Sequence, residues 1–275
     1  MKNVIRKTGG KCLKCFCLLL IIFVSITTNA DNKAFQSGET LQYDLYYNWK
    51  FIWVKAGDAS MSITSTYHDG IPAYRSRMLT RGSSKADKFF VLRDTLTSIT
   101  ATSNLRPLYY SKTDMEGTSY RQREVWYSYS EKGCKVKQKY INPDGKVSWK
   151  DEYRDARVFD MLSILLEART YNPSGWKKGH KIQFEMTDGD GINTQTLIYR
   201  GKKNIKIRNG NDTYRCLVLS FVEYEKKKEK EVITFYVTDD DNHIPVRLDM
   251  FLRIGSAKAF LVGYRGLKNK MSAKK

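Results

Sequence analysis

The segment LQYDLYYNW, residues Leu41–Trp49, shows the pattern that recurs through most of this chain. Its apolar side chains occupy every second position: Leu41, Tyr43, Leu45, Tyr47 and Trp49. Polar residues such as Gln42 and Asp44 stand between them. Because successive side chains of an extended chain point to opposite faces, this alternation predicts a strand with one buried face.

The same alternation recurs on both sides of one interruption. The runs are 54–65, 73–81, 94–102, 108–115, 121–129, 135–141 and 147–153, then 181–186, 194–200, 204–208, 214–223, 231–238, 244–254 and 257–264. Turn signals separate several of them, such as His68-Asp69-Gly70 and Asn142-Pro143-Asp144-Gly145. This succession of short strands is typical of a large antiparallel sheet.

The interruption, residues 155–169, has the period of a helix. Its apolar residues are spaced i, i+3, i+4 and i+7: Val158, Met161, Leu162 and Leu165. Asp155 is the predicted N-cap, and NPSG at residues 172–175 ends the run. Because Phe159 and Ile164 add apolar groups to another flank, we expect the helix to be buried on several sides, against or within a curved sheet.

These patterns predict a mainly β fold. We expect a large curved antiparallel sheet, in the form of a half-barrel or open barrel, with one long central helix. No linker or composition break divides residues 31–275, which are therefore expected to form a single β-rich domain. The aromatic content of 13% excludes a disordered chain, since such chains are poor in aromatic residues.

Residues 1–30 have the order of a secretory signal peptide. Five basic residues and no acid precede an apolar run at 15–26, and Thr28-Asn29-Ala30 provides small residues for cleavage. The apolar run is short for a bilayer span. An uncleaved anchor and a lipoprotein are the alternatives, although none of the three cysteines here ends a lipobox. We expect export to the periplasm or outer envelope of a Gram-negative bacterium, with no membrane span after cleavage.

The chain is strongly basic, with 48 Lys and Arg against 29 Asp and Glu and a formal net charge of +19. Cleavage after Ala30 removes five basic and no acidic residues, which leaves +14. A basic exported protein is attracted to lipid headgroups, other anionic amphiphiles or acidic envelope glycans. A solvated surface without a partner is the alternative, and we expect no nucleic-acid partner.

Sequence motifs for catalysis or metal binding are missing. The histidines His68, His180 and His243 form neither a zinc-protease pair nor a set with cysteines. The sequence also contains no Gly-x-Ser-x-Gly elbow. We therefore predict that the protein is not an enzyme and has no catalytic residue, metal or cofactor. For Cys134 and Cys216, the sequence leaves open a disulfide or two small buried residues.

Two aromatic clusters are the candidates for a ligand-binding site. Tyr43, Tyr47 and Trp49 share one face of the first strand, and Trp126 belongs to the second cluster. Aromatic side chains on a curved sheet can line an apolar groove or stack on sugar rings. Ordinary core packing is the alternative, because alternation does not tell whether the concave face is filled by the helix.

Short motifs along the chain resemble one family. They are GETLQYD at 38–44, VKAGDA at 54–59, DMLS at 160–163, YRCL at 214–217, FYVTDD at 235–240, HIPVR at 243–247 and IGS at 254–256. In order and spacing they resemble the exported bacterial proteins classed as domain of unknown function 3108 (DUF3108). The resemblance implies an exported, β-rich, single-domain protein and supplies no catalytic residues. In outline such proteins are similar to curved-sheet carriers of lipoproteins and lipids, which is a likeness of fold alone.

Two main hypotheses about function follow from these patterns. The first is a non-enzymatic periplasmic binding protein whose concave sheet face takes a lipid or another amphiphile. The alternative is a structural or interaction protein of the envelope, with the groove filled by the helix and a surface that binds a protein or an acidic glycan. An open apolar cavity of ~300 Å³ or more, the lower end for ligand pockets, favours the first.

Overall fold

The computed structural model describes residues 32–49, 52–84, 87, 91–207, 212–225, 228–252 and 255–275. The predicted signal peptide, residues 1–30, lies outside the described residues. The strands are β1 Thr40–Trp49, β2 Ile52–His68, β3 Ile71–Gly82, β4 Leu92–Ala101, β5 Pro107–Glu116, β6 Ser119–Ser130, β7 Gly133–Ile141, β8 Val147–Arg154, β9 Val158–Phe159, β10 Lys181–Thr187, β11 Ile192–Lys206, β12 Thr213–Glu225, β13 Lys228–Thr238, β14 Pro245–Phe251 and β15 Ser256–Arg265. A helix, α1, spans Met161–Arg169, and a short 3₁₀ turn spans Pro173–Gly175.

All fifteen strands belong to one sheet, in the order β8-β7-β6-β5-β4-β3-β2-β1-β15-β14-β13-β12-β11-β10-β9. The pairing of β1 with β15 joins the strands before α1 to the strands after it. Neighbouring strands are antiparallel except β9 and β10, which are parallel. Sequential hairpins therefore account for most of this sheet, as the regular turn signals predict.

The two edges of the sheet are joined by side chains. Arg154 on β8 donates to Glu185 on β10 at 3.1 Å, and Glu152 accepts from the backbone N–H of Ile192 at 3.1 Å. These bonds hold a long curved sheet in a nearly closed, barrel-like form. The predicted mainly β class, with one large curved antiparallel sheet, is confirmed.

The helix begins later than predicted and is shorter. Its N-cap is Asp160, not Asp155, and residues 158–159 form strand β9. The Asp160 carboxylate accepts from the backbone N–H groups of Leu162 and Ser163, both at 2.9 Å, while the Ser163 hydroxyl accepts from the Asp160 N–H at 2.8 Å. This capping box fixes the first turn, because it satisfies N–H groups that lack partners within the helix.

The predicted runs 194–200 and 204–208 are one strand, β11. A β-bulge separates the pairs Tyr199 to Leu219 and Gly201 to Val218, so that one extra residue is accommodated. Gly201 has a φ of +104°, which favours glycine because it lacks Cβ. Gly201, which lies between the two predicted runs, therefore marks a bulge within one strand and not a boundary between two strands.

Turns of successive hairpins alternate between the two ends of the barrel. One end, here called the closed end, carries the N-terminal segment 32–39, the loop 239–244 and the C-terminal segment 266–275. Phe35, Leu105, Ile205 and Ile244 form a buried cluster there with Leu166 of α1. At the opposite end, the open end, β1 ends and β2 begins, and β14 ends and β15 begins.

Candidate ligand cavity

A cavity of about 1730 Å³ lies between α1 and the concave face of the sheet. Typical small-molecule pockets measure ~300–1000 Å³, so this space exceeds the usual range. The helix therefore does not fill the concave face, which settles the question that alternation left open. The same observation contradicts one part of the alternative hypothesis, in which the helix fills the groove.

The cavity wall is mainly apolar and comes from both halves of the sheet and from the helix. Its larger apolar residues include Leu45, Met61, Met78 and Leu96 before the helix; Met161, Leu162, Ile164 and Leu165 on the helix; and Phe184, Leu197, Leu217, Leu219, Phe221, Phe235, Leu248 and Met250 after it. Such a wall can bury an apolar chain but offers it few hydrogen bonds. Each buried methylene contributes roughly 0.8 kcal/mol.

Five charged side chains also reach the wall: Lys55, Asp94, Lys112, Glu116 and Arg169. Four of them are held in ion pairs. For example, Lys112 lies 3.0 Å from Asp188, and Glu116 lies 2.9 Å from Arg121. Pairing neutralises most of the charge that would otherwise oppose an apolar guest.

Asp94 is the exception among these five. Within the described part of the chain its carboxylate forms no ion pair, and its buried Oδ1 has no hydrogen-bond partner. Burial, together with the charge of Asp114 directly opposite on β5, raises the pKa of Asp94 to about 6. The charge of the cavity wall therefore changes around that pH.

Asp160 fixes the start of α1 against the sheet. The Ser98 hydroxyl on β4 donates to Asp160 Oδ2 at 2.9 Å, in addition to the capping bonds. The Asp160 carboxyl is fully buried, and burial raises its pKa to about 6 although these hydrogen bonds act in the opposite direction. The helix is thus tied to the wall at the residue where it begins.

Arg169 fixes the end of α1 and helps to cover the cavity at the closed end. Its guanidinium donates to the two Glu39 oxygens at 2.5 and 2.9 Å, to the Asn242 carbonyl at 3.0 Å and to the Ala34 carbonyl at 3.2 Å. Arg169 and Glu39 are 2% and 1% exposed. One buried ion pair therefore joins the helix to the N-terminal segment and to the loop 239–244.

The open end carries the mouth of the cavity. Ile52, Val54 and Leu252 line the cavity and are nevertheless about half or more exposed to solvent. Ile52 and Val54 lie at the start of β2, and Leu252 follows β14. The cavity is therefore accessible between two neighbouring hairpins.

Two of the four predicted ligand-binding aromatics, Tyr43 and Tyr47, line the cavity. The Tyr43 hydroxyl donates to the Pro245 carbonyl at 2.9 Å, and burial raises its pKa well above the usual range. Tyr46, which alternation assigns to the opposite face, also reaches the wall, and a register shift follows Leu45 in the pairing with β2. The side chain of Trp49 lies outside the described part of the structure.

Trp126, the fourth predicted residue, does not line the cavity. It lies in an aromatic row on the outer face, 5.7 Å from Tyr109 and 5.8 Å from Trp149 between ring centroids. Its neighbours along β6, Val125 and Tyr127, are buried inside. The row ends at Trp149, which is 54% exposed and has Lys137 Nζ 4.6 Å from its ring centroid.

The sequence patterns did not identify the aromatic residues after α1 that line the cavity. Phe184 and Phe235 lie within the predicted strands 181–186 and 231–238. The two-residue alternation in these runs could therefore have placed both side chains on the buried face. Trp176 follows the 3₁₀ turn, where no periodic pattern marks it. Nothing in the local sequence joins these positions to Tyr43, because they meet only through the curvature of the sheet.

Other possible sites are weaker. Cys134 and Cys216 are buried free thiols, and burial raises the pKa of both. Among the described residues, no cluster of three or more His, Cys, Asp or Glu side chains is arranged to hold a metal ion. Within the same residues, no helix has the length and apolarity that a membrane crossing needs.

The fold and the cavity define a class: a barrel-like β protein with an internal helix and an open apolar interior. The family model "Protein of unknown function (DUF3108)" matches residues 42–262, most of the chain. The chain belongs to this family, which confirms the resemblance. It is also similar to a crystal structure of a β-barrel-like DUF1849 protein from Brucella abortus, with a TM-score of 0.54, 12% identity, and coverage of 82% of this chain and 96% of that one. At that identity the likeness concerns the fold alone, and no curated protein sequence matches this chain.

Proposed function

We propose that the protein is a non-enzymatic binding protein that takes the apolar part of a lipid-like amphiphile into its cavity. The observation that carries this proposal is the open cavity of about 1730 Å³ with its mainly apolar wall. A guest that fills an apolar space of this size gains close packing contacts with its wall.

The apolar wall also indicates how long the apolar chain of the bound molecule must be. About ten buried methylenes contribute roughly 8 kcal/mol, the free energy of a micromolar complex. Association itself costs several kcal/mol in lost translational and rotational freedom. A short apolar molecule would therefore bind weakly, and we expect a long acyl or alkyl chain whose head lies near the open end.

Mass spectrometry of the gently purified native protein and uptake of a fluorescent fatty acid test this proposal. Ala257→Trp places a large side chain in the cavity, since Ala257 lines the wall of β15. Val262→Trp is the matched control, because Val262 lies on the same strand and is 52% exposed. We expect uptake to fall at least about tenfold in the first variant, equivalent to 1.4 kcal/mol, and to persist in the second. Absence of both co-purified lipid and uptake would refute the proposal.

We further propose that the protein acts after export, in the periplasm or outer envelope. The signal-like order of residues 1–30 supports this location. Cell fractionation with N-terminal sequencing provides the test, and we expect the mature chain to begin at Asp31. A cytoplasmic protein that keeps Met1 would contradict it.

A second candidate function is recognition of an acidic envelope glycan by the outer aromatic row. Trp126 and Trp149 are stacked with an interplanar angle of 26°, and Lys137 supplies a positive charge beside them. Flat rings can stack on sugars, and the cation suits an acidic one. Isothermal titration with an acidic oligosaccharide tests this function, with Trp149→Ala expected to abolish binding. Equal binding by the variant would exclude the row as the site.

A further inference from the structure

Two neighbouring hairpins at the open end expose large apolar side chains. The end of β1 and the start of β2 lie beside the end of β14 and the start of β15, because β1 pairs with β15. Four residues, which we call the apolar rim, lie at these strand ends: Ile52, Val54, Phe251 and Leu252, exposed by 66%, 49%, 51% and 48%. The exposed apolar rim is therefore continuous with the cavity mouth.

The apolar rim contrasts with turns elsewhere in the same sheet. The β7–β8 turn is Asn142-Pro143-Asp144-Gly145, and the β2–β3 turn contains Asp69 and Gly70. Val147 and Tyr67 are exposed beside these turns, but neither lines the cavity. Polar residues with glycine are what a solvated hairpin normally uses. Large apolar side chains grouped at an exposed turn mark an interaction surface.

We propose that the apolar rim inserts into the surface of an anionic phospholipid bilayer, with the cavity mouth facing the lipid. This inference rests on the proposed function, because it supplies the route by which an amphiphile enters. A chain that crossed water would expose its methylenes at a cost in free energy, whereas a mouth seated on the bilayer avoids that exposure. The net charge of +14 that remains after cleavage at Ala30 favours an anionic lipid surface.

The neighbours of the rim suit the same surface. Lys258 on β15 lies with its Nζ 4.5 Å from the centroid of the Trp53 ring, next to Ile52 and Val54 in sequence. Segments that lie at a membrane interface combine exposed aliphatic side chains with a basic group and an indole, as this one does. A protein partner of the rim would leave unexplained why the mouth of an apolar cavity opens there.

Flotation with lipid vesicles tests the inference. The purified protein is mixed with vesicles of phosphatidylcholine alone or of phosphatidylcholine with phosphatidylglycerol. We expect binding to the anionic vesicles that weakens with added salt, since salt screens surface charge. Ile52→Ser/Leu252→Ser should lower the partition coefficient at least about tenfold, because two side chains lose their burial in lipid. The control Tyr67→Ser/Val262→Ser, exposed by 73% and 52% at the closed end, should bind as the wild type does.

A second measurement does not depend on the folding of the serine variants. Phe251→Trp places a reporter on the rim, and the emission of the variant minus that of the wild type, which has five tryptophans, should shift to shorter wavelength when anionic vesicles are added. Wild-type protein that does not float with either vesicle, or a reporter that does not shift, would overturn the inference. Uptake of a fatty acid delivered without vesicles separates the two proposals: uptake without flotation overturns the rim alone, and flotation without uptake overturns the cavity function alone.

Discussion

Replacement of Arg169 tests how the closed end is held together. Arg169→Leu removes four hydrogen bonds and leaves the Glu39 carboxylate buried without a cation. Breaking a buried ion pair in this way costs about 3–5 kcal/mol. For a protein of this size, about 2–4 °C per kcal/mol converts that loss to a melting temperature lower by about 6–20 °C. Urea unfolding followed by circular dichroism and differential scanning calorimetry would measure both quantities.

An exposed pair provides the matched control. Lys135 and Asp151 lie 3.0 Å apart, but their side chains are 60% and 51% exposed, so Lys135→Leu should change the free energy of unfolding by less than about 1 kcal/mol. The double variant Glu39→Leu/Arg169→Leu should recover at least about 1 kcal/mol relative to Arg169→Leu, because no unpaired charge remains. If Arg169→Leu destabilises the protein no more than Lys135→Leu does, the reasoning about the closed end is refuted.

Three further predictions concern buried polar groups. The pKa of Asp94 is raised from 3.8 to about 6, so the folded state binds more protons than the unfolded state between these values, and stability falls as pH rises through them. Asp94→Asn should lessen that fall in urea titrations at about pH 4 and 7, and the part due to Asp160, whose pKa is also raised to about 6, should remain; an unchanged pH dependence would contradict the prediction. Asp160→Ala should lower the free energy of unfolding by about 1–2 kcal/mol through loss of the helix cap, and a neutral effect would be evidence against the cap. The thiols of Cys134 and Cys216 should resist a thiol reagent until urea unfolds the chain, because burial disfavours their thiolates; rapid labelling of the folded protein would contradict this.

Most strands could be predicted because alternation is a local property. The segment Leu41–Trp49 falls within β1, and the predicted run 147–153 falls within β8 Val147–Arg154. The start of the helix was predicted wrongly because Asp155 and Asp160 are both acceptable caps by residue type. Asp160 is the cap in the structure, where Ser98 on a distant strand also binds its carboxylate and residues 158–159 pair with β10.

The sequence by itself determined the fold class, the family and the apolar face of each strand, because a period of two or 3.6 residues needs no distant partner. Only the tertiary structure decided that the concave face is open. The width of that space depends on how fifteen strands curve, where β11 bulges, and how Asp160 and Arg169 hold α1 against the wall. The same reason explains why Tyr43 lines the cavity and Trp126 lies on the outer face. Alternation assigns a residue to one face of a strand, whereas closure of the sheet decides which face encloses a cavity.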